Sequence, residues 1–140
     1  MFLLKNCRLV PQLTEGFAGA MADIIFDDEK IIEICEPGSV EHFDGQVFDA
    51  EGGTVLPGLF DLHCHVYMFD LSKIAEMDRK EEAYTFVDAY NFSREYLRQG
   101  YTTLRDAGCA HNIAVKLRRL REAGLIEPIP DILSSGRALT

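Results

Sequence analysis

The sequence runs to 140 residues, 47% of them hydrophobic and 26% charged, which is enough apolar material for the core of a domain-sized chain. A formal net charge of −9 argues against nucleic acid or an anionic membrane surface as a partner. The opening "MFLL" reaches Lys5 and Asn6 too soon for a signal-peptide core, and no apolar run approaches the roughly 20 residues of a membrane span, so a cytoplasmic protein is expected.

The first elements are short and β-like. "FLLKNCRLV" reads as a strand, and "ADIIFDDEKIIEIC" sets β-branched runs on both sides of the turn-forming Asp27–Lys30. Turn residues at Pro37-Gly38, Gly45 and Gly52-Gly53 bracket two further short strands, and together these segments predict a small antiparallel sheet. Character changes near residue 57. A strand is expected over about Leu59–Tyr67, then a polar stretch, then a helix from about Glu81 to Gln99. That helix carries Ala83, Phe86, Val87, Tyr90 and Leu97 on one face and stops at Gly100.

"YTTLRD" is the next strand, and "HNIAVKLRRLREAG" a short helix with Ile113, Leu117 and Leu120 in one stripe and basic residues toward its C-terminal end. Gly124, Pro128 and Pro130 end it, and "DILSSGRALT" begins a third strand. Strands alternating with helices imply a parallel sheet with crossover connections. Three strands and two helices do not close a barrel of the kind that takes about 250 residues, so this half reads as the beginning of a larger structure.

Within "TVLPGLFDLHCHVYMF", His63 and His65 stand one residue apart at the end of an apolar run. Residues i and i+2 of a strand share a face, about 7 Å apart, so two imidazoles there can lean toward one ion. Asp61 is expected on that same face, where it could orient a histidine. Hydrogen-bonded core or surface histidines are the alternative, because an H-x-H pair by itself is a weak signal. Cys64, between them, is expected on the opposite face as a packing residue. The four cysteines (Cys7, Cys35, Cys64, Cys109) include no C-x-x-C, so they suit free thiols in a reducing compartment.

"VLPGLFDLHCH" closely resembles the strand-one signature P-G-[LF]-[IVF]-D-x-H-x-H of the amidohydrolase superfamily, metal-dependent hydrolases on a (β/α)8 barrel. The lead-in "ADIIFDDEKIIEICEPG…VFDAEGGTVLPG" is similar to that family's N-terminal β-sandwich segment. "GYTTLRDAG" resembles its second barrel strand, and "ILSSGRALT" its third in the branch of imidazolonepropionase-like enzymes and Xaa-Pro or Xaa-Arg dipeptidases. The resemblance implies an α/β fold: a partial small β-sandwich (1–57, the N-terminal part of a composite domain), then the first two to three β/α units of a TIM-type (β/α)8 barrel (58–140).

It also implies that His63 and His65 are metal ligands, with Asp61 behind them. A divalent metal, zinc foremost, would be present as one or two ions in a complete enzyme and would activate water for attack on a carbonyl. The family's remaining ligands and its general base lie on strands four to eight, and none of those segments is in this sequence. Two histidines fall short of the three protein ligands of a catalytic zinc, so these 140 residues alone are expected to bind metal weakly and to catalyse nothing.

Further candidates are less specific. Arg105 and Asp106, at the end of the second strand, admit a catalytic reading, but a salt bridge tying strand to loop is the expectation. His111 either faces a substrate mouth or is a solvated helix-start histidine. Arg137, with Ser134 and Ser135, could bind a substrate carboxylate through its guanidinium fork. His42 is expected on the surface, and Tyr67 with Met68–Lys80 could overhang the site as a lid. The expected activity is hydrolysis of an amide or other C–N bond in a small molecule or dipeptide, by a homo-oligomer. The rival expectation is a truncated, non-catalytic remnant that covers its exposed parallel edges by self-association or by docking with a complementary chain.

Overall fold

The computed structural model describes residues 1–68, 72, 76 and 79–137. The chain forms two compact units, Met1–Pro57 and Gly58–Thr140. Among the described residues no helix is long and apolar enough to cross a membrane.

Met1–Pro57 is built on a four-stranded sheet in the order β3-β2-β1-β4, with β1 Phe2–Arg8, β2 Met21–Phe26, β3 Ile31–Cys35 and β4 Gln46–Asp49. β2 and β3 form the expected hairpin. Its turn is held by Asp27, whose Oδ1 accepts the Glu29 and Lys30 amides at 2.8 Å. Those two amides also keep the Asp27 carboxyl below the usual carboxylate range.

β4 departs from the antiparallel expectation. It pairs with β1 in parallel, Phe2 opposite Gln46 and Lys5 opposite Asp49, because the segment after β3 crosses from one edge of the sheet to the other. Leu3, Cys7, Leu9, Ala22 and Ile24 are buried in this unit.

A bulge interrupts β1 between Leu4 and Cys7. There Asn6 takes a left-handed conformation (φ 56°), which an asparagine tolerates better than most residues. Its amide, freed from the ladder, donates to Oδ1 of the fully buried Asp23 at 2.9 Å, and the Gly38 amide donates to Oδ2 at 2.9 Å. One carboxylate therefore satisfies two backbone groups that the strands leave unpaired.

Gly58–Thr140 holds a parallel three-stranded sheet, β5-β6-β7, with β5 Leu59–Cys64, β6 Tyr101–Asp106 and β7 Asp131–Ser134. Helix α1 (Glu82–Arg98) connects β5 to β6, and α2 (Ile113–Glu122) connects β6 to β7. The Pro-Gly before β5 has a steric reason. A Cβ on Gly58 would lie 2.2 Å from Thr102 Oγ1, so only glycine lets the chain pass β6 there. Gly100 and Gly124 end the two helices at φ 91° and 66°, as expected.

The face of α1 differs from the expected stripe. Its buried residues are Thr85, Ala89 and Ser93, with Phe86 and Tyr90 partly covered, whereas Val87 is 53% exposed. A row of small residues at i, i+4 lets the helix approach its neighbours closely. Ser93 satisfies its own hydroxyl on the Ala89 carbonyl at 2.8 Å. In α2, Ile113, Ala114 and Leu117 are buried and Leu120 is only partly so.

The helix-side core joins Leu104, Ile132, Ile129 and Val66 to Cys64 and Cys109. The opposite face of the sheet leaves Phe60, Leu62 and Leu133 exposed at 63%, 64% and 58%. Residues 138–140 of the third-strand segment and most of the suggested lid, Met68–Lys80, lie outside the described residues. Tyr67, at the start of that stretch, is buried against the core.

Two measurements check this packing. Asp23→Ala should lower stability to urea by about 1–3 kcal/mol, because two part-buried backbone amides lose their acceptor, and Asp23→Asn should cost less. Cys7, Cys64 and Cys109 are buried while Cys35 is partly exposed, and burial first of all pushes the Cys64 thiol up to about 12 and Cys109 up to about 11. A thiol-specific reagent at pH 8 should therefore modify Cys35 first, and the other three only as the protein unfolds.

Candidate functional site

β5 carries His63 and leads directly into His65, and its register decides which way the segment faces. Asp61 lies opposite Leu104, and Cys64 lies opposite Asp106. Three residues of β5 therefore span two of β6, and Leu62 and His63 share the position facing Arg105. This is a bulge. The carbonyl that it turns out of the ladder, Leu62 O, accepts a hydrogen bond from Arg105 Nη1 at 3.1 Å.

The bulge corrects the expectation for Asp61. The row Asp61, Leu104, Ile132 faces the helices, so Asp61 does not share the histidines' face. Its Oδ2 accepts the Tyr96 hydroxyl of α1 at 3.1 Å, and its Oδ1 accepts the His63 backbone amide at 3.0 Å. Burial, and then that bond to Asp61, hold the Tyr96 phenol up to about 12. Asp61 thus braces the backbone of His63 and not an imidazole. Cys64 is buried on the helix side with its thiol toward the Arg105 carbonyl at 3.7 Å.

The two imidazoles lie together, with ring centroids 5.6 Å apart and planes at 73°. His63 is exposed, and His65 is half-buried just beyond the strand. The expected strand to Tyr67 stops at Cys64 because the chain turns at once, the Met68 amide donating to the His65 carbonyl at 3.0 Å. His65 Nδ1 lies 2.7 Å from the Gly108 carbonyl. A carbonyl oxygen can only accept, so Nδ1 carries a proton, and in the neutral ring Nε2 is then the nitrogen that keeps its lone pair. Gly108 has φ 135°, a conformation that favours glycine.

This donor set fits part of a metal site. An imidazole with its far nitrogen on a backbone carbonyl is the usual arrangement of a ligating histidine, and a second imidazole stands beside it. Among the described residues, no group of three or more His, Cys, Asp or Glu side chains is placed to hold an ion. By itself the pair could offer an ion two nitrogens, fewer than a tight site needs.

His111 takes a left-handed conformation (φ 52°) ahead of α2, with Nδ1 4.0 Å from Glu82 Oε2 and a buried Nε2 that has no hydrogen-bond partner among the described residues. Lys116 binds the same Glu82, and this bond first of all lowers the Glu82 carboxyl. Arg137 is exposed in the bend after β7, and His42 is exposed in unit one. Arg105 and Asp106 do not pair with each other as expected. Successive strand residues point to opposite faces, so Arg105 braces Leu62 while Asp106 is buried at 1% exposure.

The Asp106 Oδ1 accepts the Val66 amide at 3.2 Å, and its Oδ2 accepts the Ser134 hydroxyl at 3.0 Å. Sequence reading passed over this role. The one signal for it was an acidic residue at the end of an apolar strand, followed by Ala-Gly.

No protein-family model matches the chain. A dihydroorotase of Streptococcus thermophilus is 38% identical over 65 residues, 46% of this chain and 14% of the relative. An imidazolonepropionase of Thermoplasma volcanium is 36% identical over 88 residues, 61% of this chain and 19% of the relative. Among solved structures, an amidohydrolase superimposes over 98% of this chain and 32% of its own at a TM-score of 0.76 and 29% identity. A Xaa-Pro dipeptidase with methionine in its active site matches in fold over 99% of this chain and 34% of its own, at a TM-score of 0.78 and 21% identity. The chain thus spans about a third or less of the length of each of these proteins. In sequence over about half of its length, and in fold over nearly all of it, the chain is similar to members of the amidohydrolase superfamily.

Proposed function

We propose that the chain supplies the first metal ligands of a hydrolase that cleaves an amide or other C–N bond in a small molecule or dipeptide. The observation that carries this reading is the imidazole pair, in which His65 is oriented by the Gly108 carbonyl with Nε2 free. Its relatives are hydrolases of the same superfamily. The names imidazolonepropionase and Xaa-Pro dipeptidase among them support the narrower branch.

His63 and His65 would hold a divalent cation, zinc foremost, through imidazole nitrogens. Such a cation supplies Lewis acidity for activating water and polarising a carbonyl. The chain's own residues do the mounting. Asp61 ties down the His63 amide, Arg105 ties the Leu62 carbonyl, and Gly108 fixes the tautomer of His65. Further ligands and a general base would come from strands beyond β7 in a closed (β/α)8 barrel. The exposed apolar face Phe60, Leu62 and Leu133 supports that reading, since parallel sheets are ordinarily covered on both faces. No observation favours a self-associating, non-catalytic remnant.

The test is elemental analysis of the full-length protein, together with a hydrolysis screen over dipeptides and lactams. His63→Asn should remove bound metal and activity together, and an active, metal-free variant would refute the assignment. Cys64→Ala should leave metal content near that of the parent; loss of metal there would mean that the thiol, not an imidazole, faces the ion.

A further inference from the structure

We infer that Asp106 is a positioning residue for His65, acting through the backbone of the turn that carries the imidazole. The inference rests on the metal reading above and adds to it a residue that touches neither ion nor substrate. Three successive residues at the first-strand exit are each gripped by the end of β6 or the residues just after it. The Cys64 carbonyl accepts the Ala107 amide at 2.9 Å, His65 Nδ1 meets the Gly108 carbonyl at 2.7 Å, and the Val66 amide donates to Asp106 Oδ1 at 3.2 Å.

The last of these decides the path of the chain. Val66 is fully buried, so its amide needs an acceptor once it has left the β-ladder. Asp106 is the acceptor present, and it is itself held from the other side. Its Oδ2 accepts the Ser134 hydroxyl at 3.0 Å, whose oxygen in turn accepts the Gly136 amide at 3.0 Å. The Ser135 amide donates to the Asp106 carbonyl at 3.2 Å, and the Cys109 amide donates to the Gly136 carbonyl at 2.9 Å.

A single buried carboxylate therefore couples the turn bearing His65 to the end of β7. Removing it frees the Val66 amide and loosens the turn against Gly108. His65 then loses both its orientation and its single tautomer. A residue that merely stabilised the sheet would lower the melting temperature and leave the imidazole as it is.

The experiment uses the full-length protein with Co2+ and Zn2+, affinities being measured by chelator competition well below each variant's melting temperature, and ¹⁵N NMR of the histidine side chains without metal. Asp106→Ala should weaken metal binding by about 10–100-fold, change the visible absorption of the Co2+ form, and turn His65 from a single Nδ1–H tautomer into a mixture. Asp106→Asn keeps an oxygen for Val66 and should restore affinity and tautomer.

A folded Asp106→Ala protein with parental affinity, Co2+ spectrum and tautomer overturns the inference. Should that variant not fold, Ser134→Ala decides, because it frees the carboxylate without removing it. A measurable loss of affinity supports the role, and parental affinity overturns it. A parent protein that binds neither cation overturns the metal reading. An apo His65 tautomer untouched by Asp106→Ala overturns the positioning alone.

Discussion

One additional residue in β5 sets the placement of the polar groups in Gly58–Thr140. Side chains of a strand alternate strictly, so Asp61 and Cys64 could not both face the helices in a regular ladder. The bulge lets them do so, Asp61 opposite Leu104 and Cys64 opposite Asp106, while His63 stays exposed beside His65. Three backbone groups at the bulge and the strand exit are claimed by polar side chains. Leu62 O goes to Arg105, the His63 amide to Asp61 and the Val66 amide to Asp106. The charged residues around the imidazoles thus serve the backbone first, and the imidazoles through it.

Much of this was legible in the sequence where a single residue type settles the local geometry. Gly100 and Gly124 marked the helix ends because few other residues accept φ near +90° or +66°. Asp27 marked the hairpin because its side chain can imitate a turn. The histidine spacing placed two imidazoles together because i and i+2 share a face, and the resemblance carried by "VLPGLFDLHCH" led to the superfamily.

What escaped was whatever depends on two segments at once. A bulge is a relation between β5 and β6, so parity along β5 alone puts Asp61 on the wrong face. The parallel pairing of β4 depends on a crossover that leaves no mark of its own in "QVFD". The buried row of α1, Thr85, Ala89 and Ser93, is polar or small, and a hydrophobic stripe points elsewhere.

The open face of the parallel sheet carries an energetic implication. Phe60, Leu62 and Leu133 stay exposed, and full burial of such side chains contributes about 1.5–3 kcal/mol each. The same face bears His63, which has one imidazole neighbour and needs further ligands to hold an ion tightly. Covering the apolar row and completing the ligand set are therefore demands on the same space. Strands laid beside β5 or β7 in a closed barrel, as proposed above, would answer both at once, which a partner docked elsewhere would not.

The exit of β5 shows why a carboxylate, and not an apolar residue, sits at position 106. An apolar side chain packed beneath the strand ends would satisfy the core equally well. It could not accept the Val66 amide, which leaves the ladder so that His65 can turn toward Gly108, and an unpaired buried amide costs about 1–3 kcal/mol. A serine there has one oxygen and would have to choose between Val66 and the end of β7. Two oxygens on one rigid plane reach both, so the turn that carries the imidazole and the end of the third strand cannot shift independently. The geometry that frees His65 Nε2 is in this sense a property of three strand ends, not of the H-x-H segment alone.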